Sequence, residues 1–177
     1  MDNQKEKQNL NDVELLNNIT SALIRGASYK DIHGISQDMM DGIYSYAYEF
    51  YQQGKLKEAE VFFRFLSIYD FYNTDYIMGL AAVYQLTKRF EKAVELYALA
   101  FVLAKDDYRP LFHAGQCNLI LKKSSAALHC FESVYKHSSD GELKVKAQIY
   151  LDALEKILKK SNLSTKIHQY SIWILNG

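Results

Sequence analysis

The sequence has little of what interrupts or crosslinks a chain. Among its 177 residues there is one proline, Pro110, and there are two cysteines, Cys117 and Cys130. Because proline is the residue that interrupts helices most strongly, almost the whole chain is free to be helical. The two cysteines do not form a Cys-x-x-Cys pair, and one crosslink would not sustain a chain of this size. We expect both to be reduced, as in a cytoplasmic protein.

Two further absences restrict the choice of partners. The formal net charge is zero, with 21 basic and 21 acidic residues, so no whole-chain field favours nucleic acid or an anionic membrane, although a local patch can hide in a neutral total. The N-terminus lacks the basic-then-apolar order of a signal peptide, and no apolar run approaches the roughly 20 residues of a membrane span. The sequence therefore predicts a cytoplasmic protein with no membrane partner and no direct contact with nucleic acid.

Motifs for catalysis and for cofactors are also missing. There is no glycine-rich phosphate loop, no His-Glu-x-x-His motif and no Ser-His-Asp order. A metal site can be imagined, because histidines and cysteines recur on two predicted helices, but no paired ligand spacing supports it. The residues concerned are His113, Cys117, His129, Cys130 and His137. We expect no enzyme activity, no metal and no cofactor.

What the sequence has instead is a 34-residue repeat. Ala59, Ala93 and Ala127 are spaced by 34 residues. Other positions recur in the same register, namely Ala47, Ala81 and Gly115, then Ile43, Ile77 and Leu111, then Phe63, Tyr97 and Phe131. This small, small, aromatic order is typical of the tetratricopeptide repeat, whose two antiparallel helices approach closely where one side chain is small. The sequence predicts an all-α fold: three tetratricopeptide repeats forming a right-handed superhelix, with flanking N- and C-terminal helices.

Turn and cap residues divide the chain into four parts. Residues 1–36 are predicted to be an N-terminal helix and loop, 37–140 the three repeats, 141–160 a capping helix, and 161–177 a tail. Repeat helices are predicted at about 39–53, 56–69, 74–87, 90–104, 108–121 and 124–137. Their ends are marked by Gly54, by Asn73, by Asp106 or Asp107, by Pro110, and by a Ser139-x-x-Glu142 capping box.

The two ends of the chain each leave two interpretations open. The N-terminal helix, begun by Asn11 and Glu14 and stopped by Gly26, suits either packing on the first repeat or pairing with a second copy. Its apolar stripe is Val13, Leu16, Ile19 and Leu23. The tail is either a poorly ordered extension, which we favour, or a strand-like segment that covers a groove. Its apolar residues are Ile167, Tyr170, Ile172, Trp173, Ile174 and Leu175.

A candidate binding face follows from the repeat register. Tyr44, Tyr48 and Tyr51 form a second stripe on the first repeat helix, at i, i+4 and i+7, on the face that lines the concave side of a tetratricopeptide superhelix. The same register leads to Met78, Ala82 and Gln85 in the second repeat and to Phe112, Gln116 and Leu119 in the third. We predict that these nine residues line a peptide-binding groove, because such a wall is costly to leave in water. The alternative is that the rings are additional core.

The run DIHGISQDMMDGIYSYAYEFYQQGKLKEAEVFFRFLSIYDFYNTDYIMGLAAVYQL resembles the class II chaperones of bacterial type III secretion systems. The likeness continues through KAVELYALAFVLAKDDYRPLFHAGQC and fades after about Leu154. FFRFLSIYDFYN and DYIMGLAA are specific to this likeness, since they are not general repeat consensus. The tail beyond Lys160 departs from the family, whose members usually end soon after the last helix.

The resemblance implies a function. Members of this family bind the hydrophobic translocator proteins before export, usually form homodimers through the N-terminal region and first repeat, and hold a short extended cargo segment in the concave groove. Residues matching Tyr44, Tyr48 and Tyr51 line its pockets. Some members also co-activate an AraC-type transcription activator, so a regulatory adaptor is the alternative function. The resemblance does not identify the cargo.

Overall fold

The computed structural model describes Ser21 and residues 26–176, apart from the side chains of Leu158 and of residues 160–176. The predicted N-terminal helix, with its stripe from Val13 to Leu23, lies outside the described residues except for Ser21 and Gly26. Over the described part the fold is all-α, as predicted, and contains no strand. The helices are α1 (Tyr29–Ile32), α2 (Gln37–Gln52), α3 (Leu56–Tyr69), α4 (Thr74–Leu86), α5 (Phe90–Leu103), α6 (Arg109–Ile120), α7 (Ser124–His137) and α8 (Gly141–Asn176).

Six of these helices, α2 to α7, follow the predicted boundaries to within about two residues, because local turn chemistry sets their ends. The Asn73 side-chain oxygen accepts a hydrogen bond from the Asp75 backbone N–H at 3.1 Å and begins α4. Before α6, Asp107 accepts one from the Arg109 backbone N–H at 2.9 Å. Pro110 lies in the first turn of α6, where a missing N–H costs nothing.

The turn between the two helices of each repeat has the same backbone conformation. Gly54, Lys88 and Lys122, spaced by 34 residues, have φ angles of 72°, 61° and 59°. This left-handed region suits glycine, whereas lysine adopts it at a cost. The repeat therefore recurs in the backbone itself as well as in the side chains.

The chain divides into two compact units, one ending at Val83 and the other beginning at Tyr84. In the first, Ala47, Ala59 and Ala81 are fully buried, and the Phe63 ring lies against Gly79, where an added Cβ would come within 2.2 Å of that ring. In the second unit the equivalent positions are buried as well, namely Ala93, Tyr97, Ala127 and Phe131. The small and aromatic positions of the repeat are thus the packing positions that the sequence predicts.

The short helix α1 was not predicted. The backbone N–H and the hydroxyl of Ser28 both donate to the Asp31 carboxylate, at 2.8 and 2.7 Å. Lys30 then reaches Asp70 at the end of α3, with 2.5 Å between ammonium and carboxylate. A contact over 40 residues therefore fixes this segment, and a local pattern could not have indicated it.

The last helix, α8, differs from the prediction at both ends. Its N-cap is Asp140, whose carboxylate accepts hydrogen bonds from the backbone N–H groups of Glu142 and Leu143 at 2.9 and 3.0 Å, so the predicted Ser139–Glu142 capping box is wrong. At the other end α8 continues past Lys160 to Asn176. The backbone of the tail is therefore helical, which corrects the strand-like interpretation.

Within the described residues, no helix combines the length and the apolarity needed to cross a membrane.

Candidate functional site

The three predicted tyrosines of α2 form a continuous row of rings, which we call the tyrosine ladder (Tyr44, Tyr48 and Tyr51). The ring centroids of Tyr44 and Tyr48 are 6.3 Å apart with an interplanar angle of 19°. Those of Tyr48 and Tyr51 are also 6.3 Å apart, at 21°. The ladder arises because helix geometry brings i, i+3 and i+4 side chains onto one face.

The ladder is fixed at one end and open in the middle. Tyr44 packs edge-on against Phe63, with 6.0 Å between centroids, and lies 5.5 Å from the ring of Tyr76, which is 2% exposed. Tyr48 is 47% exposed. A stacked aromatic row with one half-exposed ring offers apolar contact area at a small loss of side-chain entropy on binding.

The pKa values of two tyrosine hydroxyl groups at the ladder, those of Tyr51 and Tyr76, are raised, so both groups stay neutral at physiological pH. Burial raises the pKa of Tyr51, and the neighbouring Tyr48 raises it further. Burial also raises the pKa of Tyr76, whose hydroxyl oxygen accepts a hydrogen bond of 3.4 Å from the Gln37 side-chain amide. The ladder therefore suits an apolar ligand that carries polar backbone groups.

The remaining predicted wall residues of the first unit lie on α4. Met78 and Ala82 are both partly buried, so each retains some accessible surface. Together with the ladder they make five of the nine predicted residues. Whether the nine form one surface stays a prediction.

The four predicted wall residues of the second unit are held by hydrogen bonds or by core packing. Gln85 accepts a hydrogen bond of 2.8 Å from the Tyr97 hydroxyl. Gln116 donates from its side-chain nitrogen to the Tyr150 hydroxyl oxygen at 2.9 Å, and its oxygen lies 3.0 Å from His113 Nδ1. Because an amide oxygen only accepts, His113 donates from Nδ1 in this arrangement.

Phe112 and Leu119 belong to the core of this unit. Phe112 is 5% exposed, and its ring meets Phe131 and Tyr150 edge-on, each at 5.6 Å between centroids. Leu119 is partly buried against the same cluster. Sequence reasoning missed Tyr150, although it lies 34 residues after Gln116 and thus continues the repeat register into α8. That register was the signal that could have found it.

The imagined metal ligands do not come together in the described part of the chain, where no group of three or more His, Cys, Asp or Glu side chains could hold an ion. Cys117 and Cys130 are free and buried. Burial raises the pKa of the Cys117 thiol to about 11 and that of Cys130 in the same direction. Both thiols are therefore protonated at neutral pH and make poor nucleophiles.

Comparisons with known proteins agree with the repeat. The tetratricopeptide repeat family profile matches residues 40–73 and 74–107. The chaperone protein SicA of Salmonella typhimurium is 56% identical over 149 residues, which cover 84% of this chain and 90% of that protein. The chain belongs to the class II chaperones of type III secretion systems.

Solved structures extend the likeness of this chaperone to its fold. SycD of Yersinia enterocolitica, crystallised with a peptide of the translocator YopD, superimposes with a TM-score of 0.66 at 28% identity, covering 71% of this chain and 98% of that one. A further crystal structure of SycD, of an alternative dimer, gives a TM-score of 0.63 at 28% identity, covering 71% of this chain and 97% of that one.

Proposed function

We propose that this chaperone binds a short, apolar, extended segment of a type III translocator protein, and that the tyrosine ladder is the central part of its binding surface. It would mask that segment in the bacterial cytoplasm before export. The observation that carries the proposal is the ladder itself: three stacked rings, anchored on Phe63 and Tyr76, with Tyr48 half exposed. The translocator peptide bound to SycD supports the class of ligand.

The expected affinity suits a ligand that must later be released. Burying one aliphatic side chain against the ladder contributes about 1–3 kcal/mol. Two or three such anchors contribute about 2–9 kcal/mol before the cost of ordering the segment is subtracted, so binding is no tighter than about micromolar. The proposal includes no enzyme activity of the chain and no cofactor.

The oligomeric state belongs to the same proposal. SycD crystallises as a dimer, and we expect a homodimer here too. A regulatory partnership with an AraC-type transcription activator stays a prediction of the family resemblance. A transcription reporter with the cargo gene deleted checks it, because activity that follows free chaperone would support the partnership.

The binding test uses Tyr48→Ala and the double variant Tyr44→Ala/Tyr48→Ala. Each is coexpressed with the translocators encoded alongside the chaperone, and copurified cargo is quantified. We expect roughly tenfold weaker retention for Tyr48→Ala, which removes one exposed anchor, and no detectable cargo for the double variant. Circular dichroism must show native helicity, because Tyr44 also packs on Phe63 and Tyr76.

A matched control lies on the same helix. Tyr46 is 60% exposed and makes no part of the ladder, so Tyr46→Ala removes a tyrosine from α2 without touching the proposed surface. Its cargo retention should equal that of the unmodified chain once the oligomeric mass is checked. Equal retention by the folded Tyr44→Ala/Tyr48→Ala variant would show that the ladder is not the binding surface.

A further inference from the structure

The first part of α8 packs into the core of the second unit. Leu143, Ala147 and Leu154 are buried there, and Ile149 and Ile157, about two turns apart on the same helix, are each 62% exposed. The helix nevertheless runs on to Asn176. At 1.5 Å per residue, residues 156–176 add about 30 Å of helix. We call these residues the distal segment.

The distal segment concentrates positive charge within a neutral chain. It contains four lysines, Lys156, Lys159, Lys160 and Lys166, while no aspartate or glutamate follows Glu155. Lys159 pairs with Glu155 at 2.6 Å, with both side chains mostly exposed. Such exposed pairs exchange readily, so the pair does not remove the local excess of cations.

The same segment has an apolar register. Leu163, Ile167, Tyr170 and Ile174 follow one another at steps of four, three and four residues, which is one face of a helix by position. Lys156 and Lys160 precede them in that register. Lysine fits such a face, because its apolar stem can lie along apolar surface while the ammonium group reaches a charged boundary.

The charge and the residue types of the distal segment indicate which kind of partner it binds. The longest uninterrupted apolar run of the segment, 172–175, is far below the roughly 20 residues needed to cross a membrane. Parallel pairing of two copies would bring the lysines of both chains together. An anionic lipid surface instead complements the lysines, accepts the apolar face, and suits Tyr170 and Trp173, since tyrosine and tryptophan concentrate where headgroups meet acyl chains.

We propose that the distal segment of α8 binds along the surface of a membrane that contains anionic lipid. This function is separate from cargo binding by the tyrosine ladder and is tested without cargo. It also replaces the expectation, drawn from whole-chain neutrality, that the protein has no membrane partner. Four of the 21 basic residues lie in this one segment, which has no acidic residue, so the segment is locally cationic although the whole chain is neutral.

The test uses the full chain and unilamellar vesicles of phosphatidylcholine, with and without phosphatidylglycerol. Trp173 is the single tryptophan of the chain, so its emission reports on the distal segment alone. We expect cosedimentation and a blue shift of that emission only with vesicles that contain phosphatidylglycerol. Both effects should weaken as salt is added, because salt screens the lysines from the lipid headgroups.

Two variants separate charge from apolar contact. Lys156→Glu/Lys160→Glu/Lys166→Glu should weaken vesicle binding roughly tenfold or more. Ile167→Asp/Ile174→Asp should abolish the blue shift. The control Lys57→Glu/Lys123→Glu/Lys136→Glu makes the same change of charge at exposed lysines on other parts of the chain, and should bind like the unmodified protein.

Three results would overturn the proposal: no binding of the unmodified chain to anionic vesicles, equal binding to neutral vesicles, or equal losses in the distal and control triple variants. A further outcome combines the first of these results with a fall in the oligomeric mass of the distal variants, measured by light scattering. That outcome would assign the segment to pairing with a second copy instead.

Discussion

At the scale of single residues, the clearest constraint is the left-handed turn that ends the first helix of each repeat. Gly54 occupies it in the first repeat with φ of 72°, and lysine occupies it in the other two. Glycine meets no steric penalty there, whereas a side chain costs about 1–2 kcal/mol. Nothing lies within 4 Å of a Cβ built on Gly54, so a substitution there would act through the backbone alone.

We predict that Gly54→Ala lowers the free energy of unfolding by about 1 kcal/mol. Gly42 is the matched control, since it lies inside α2 and a Cβ added there would meet nothing within 4 Å. Gly42→Ala should raise the free energy of unfolding by about 1 kcal/mol, because alanine favours the helix. Urea denaturation measures both. Changes of the same sign would contradict the assignment of φ.

At the scale of helices, the sequence could predict what local chemistry decides. The boundaries of α2 to α7 follow from turn and cap residues such as Gly54 and Asn73, and the repeat register follows from side-chain size. The short α1 was missed because Lys30 must reach Asp70, which no local pattern indicates. The packing of Phe112 against Tyr150 of α8 was missed as well, because that contact joins two distant parts of the chain.

The start of α8 shows the limit of cap prediction. Ser139 and Asp140 are both capping residues, and the pattern Ser-x-x-Glu favoured Ser139. The chosen cap is Asp140, whose own backbone N–H donates to the Ser138 hydroxyl at 3.1 Å. That contact positions the Asp140 carboxylate over the first turn of the helix. Which residue caps α8 therefore depends on Ser138, the residue before the motif.

We predict that Asp140→Ala lowers the free energy of unfolding by about 1 kcal/mol, because the backbone N–H groups of Glu142 and Leu143 lose their acceptor. Ser139→Ala should change it by less than about 0.5 kcal/mol, since Ser139 is exposed and is not the cap. Thermal and urea unfolding of both variants checks this. A larger effect at Ser139 would restore the capping box.

At the scale of the whole molecule, buried titratable groups make stability depend on pH at both ends of the range. Burial lowers the pKa of His113, although its hydrogen bond to Gln116 acts in the opposite direction. Burial raises the pKa of Cys117 to about 11. Both groups are therefore neutral in the folded chain over a range in which the unfolded chain would charge them.

On the acid side, the unfolded chain binds a proton on His113 near pH 6.5, while the folded chain binds it only at lower pH. The free energy of unfolding therefore falls as pH drops below about 6.5, by at most about 1.4 kcal/mol per pH unit for this one proton. His113→Gln removes the titratable group, so the decrease in the free energy of unfolding between pH 7 and 5.5 should be smaller. The lowered carboxyl pKa values of Asp31 and Asp107 act at more acidic pH.

On the alkaline side the sign is opposite, because the folded thiol keeps its proton after the unfolded one has lost it. The stabilising difference at Cys117 is complete below about pH 8.5 and is lost as pH rises from there toward the folded pKa of about 11. Urea denaturation at pH 7.5, 9 and 10 should show falling stability in the unmodified chain. The free energy of unfolding of Cys117→Ala should be lower at pH 7.5, because the substitution leaves a small cavity, and it should fall less steeply as the pH rises. Parallel slopes would show that Cys117 does not carry the alkaline loss, and would leave the other buried thiol, Cys130, as the group to replace next.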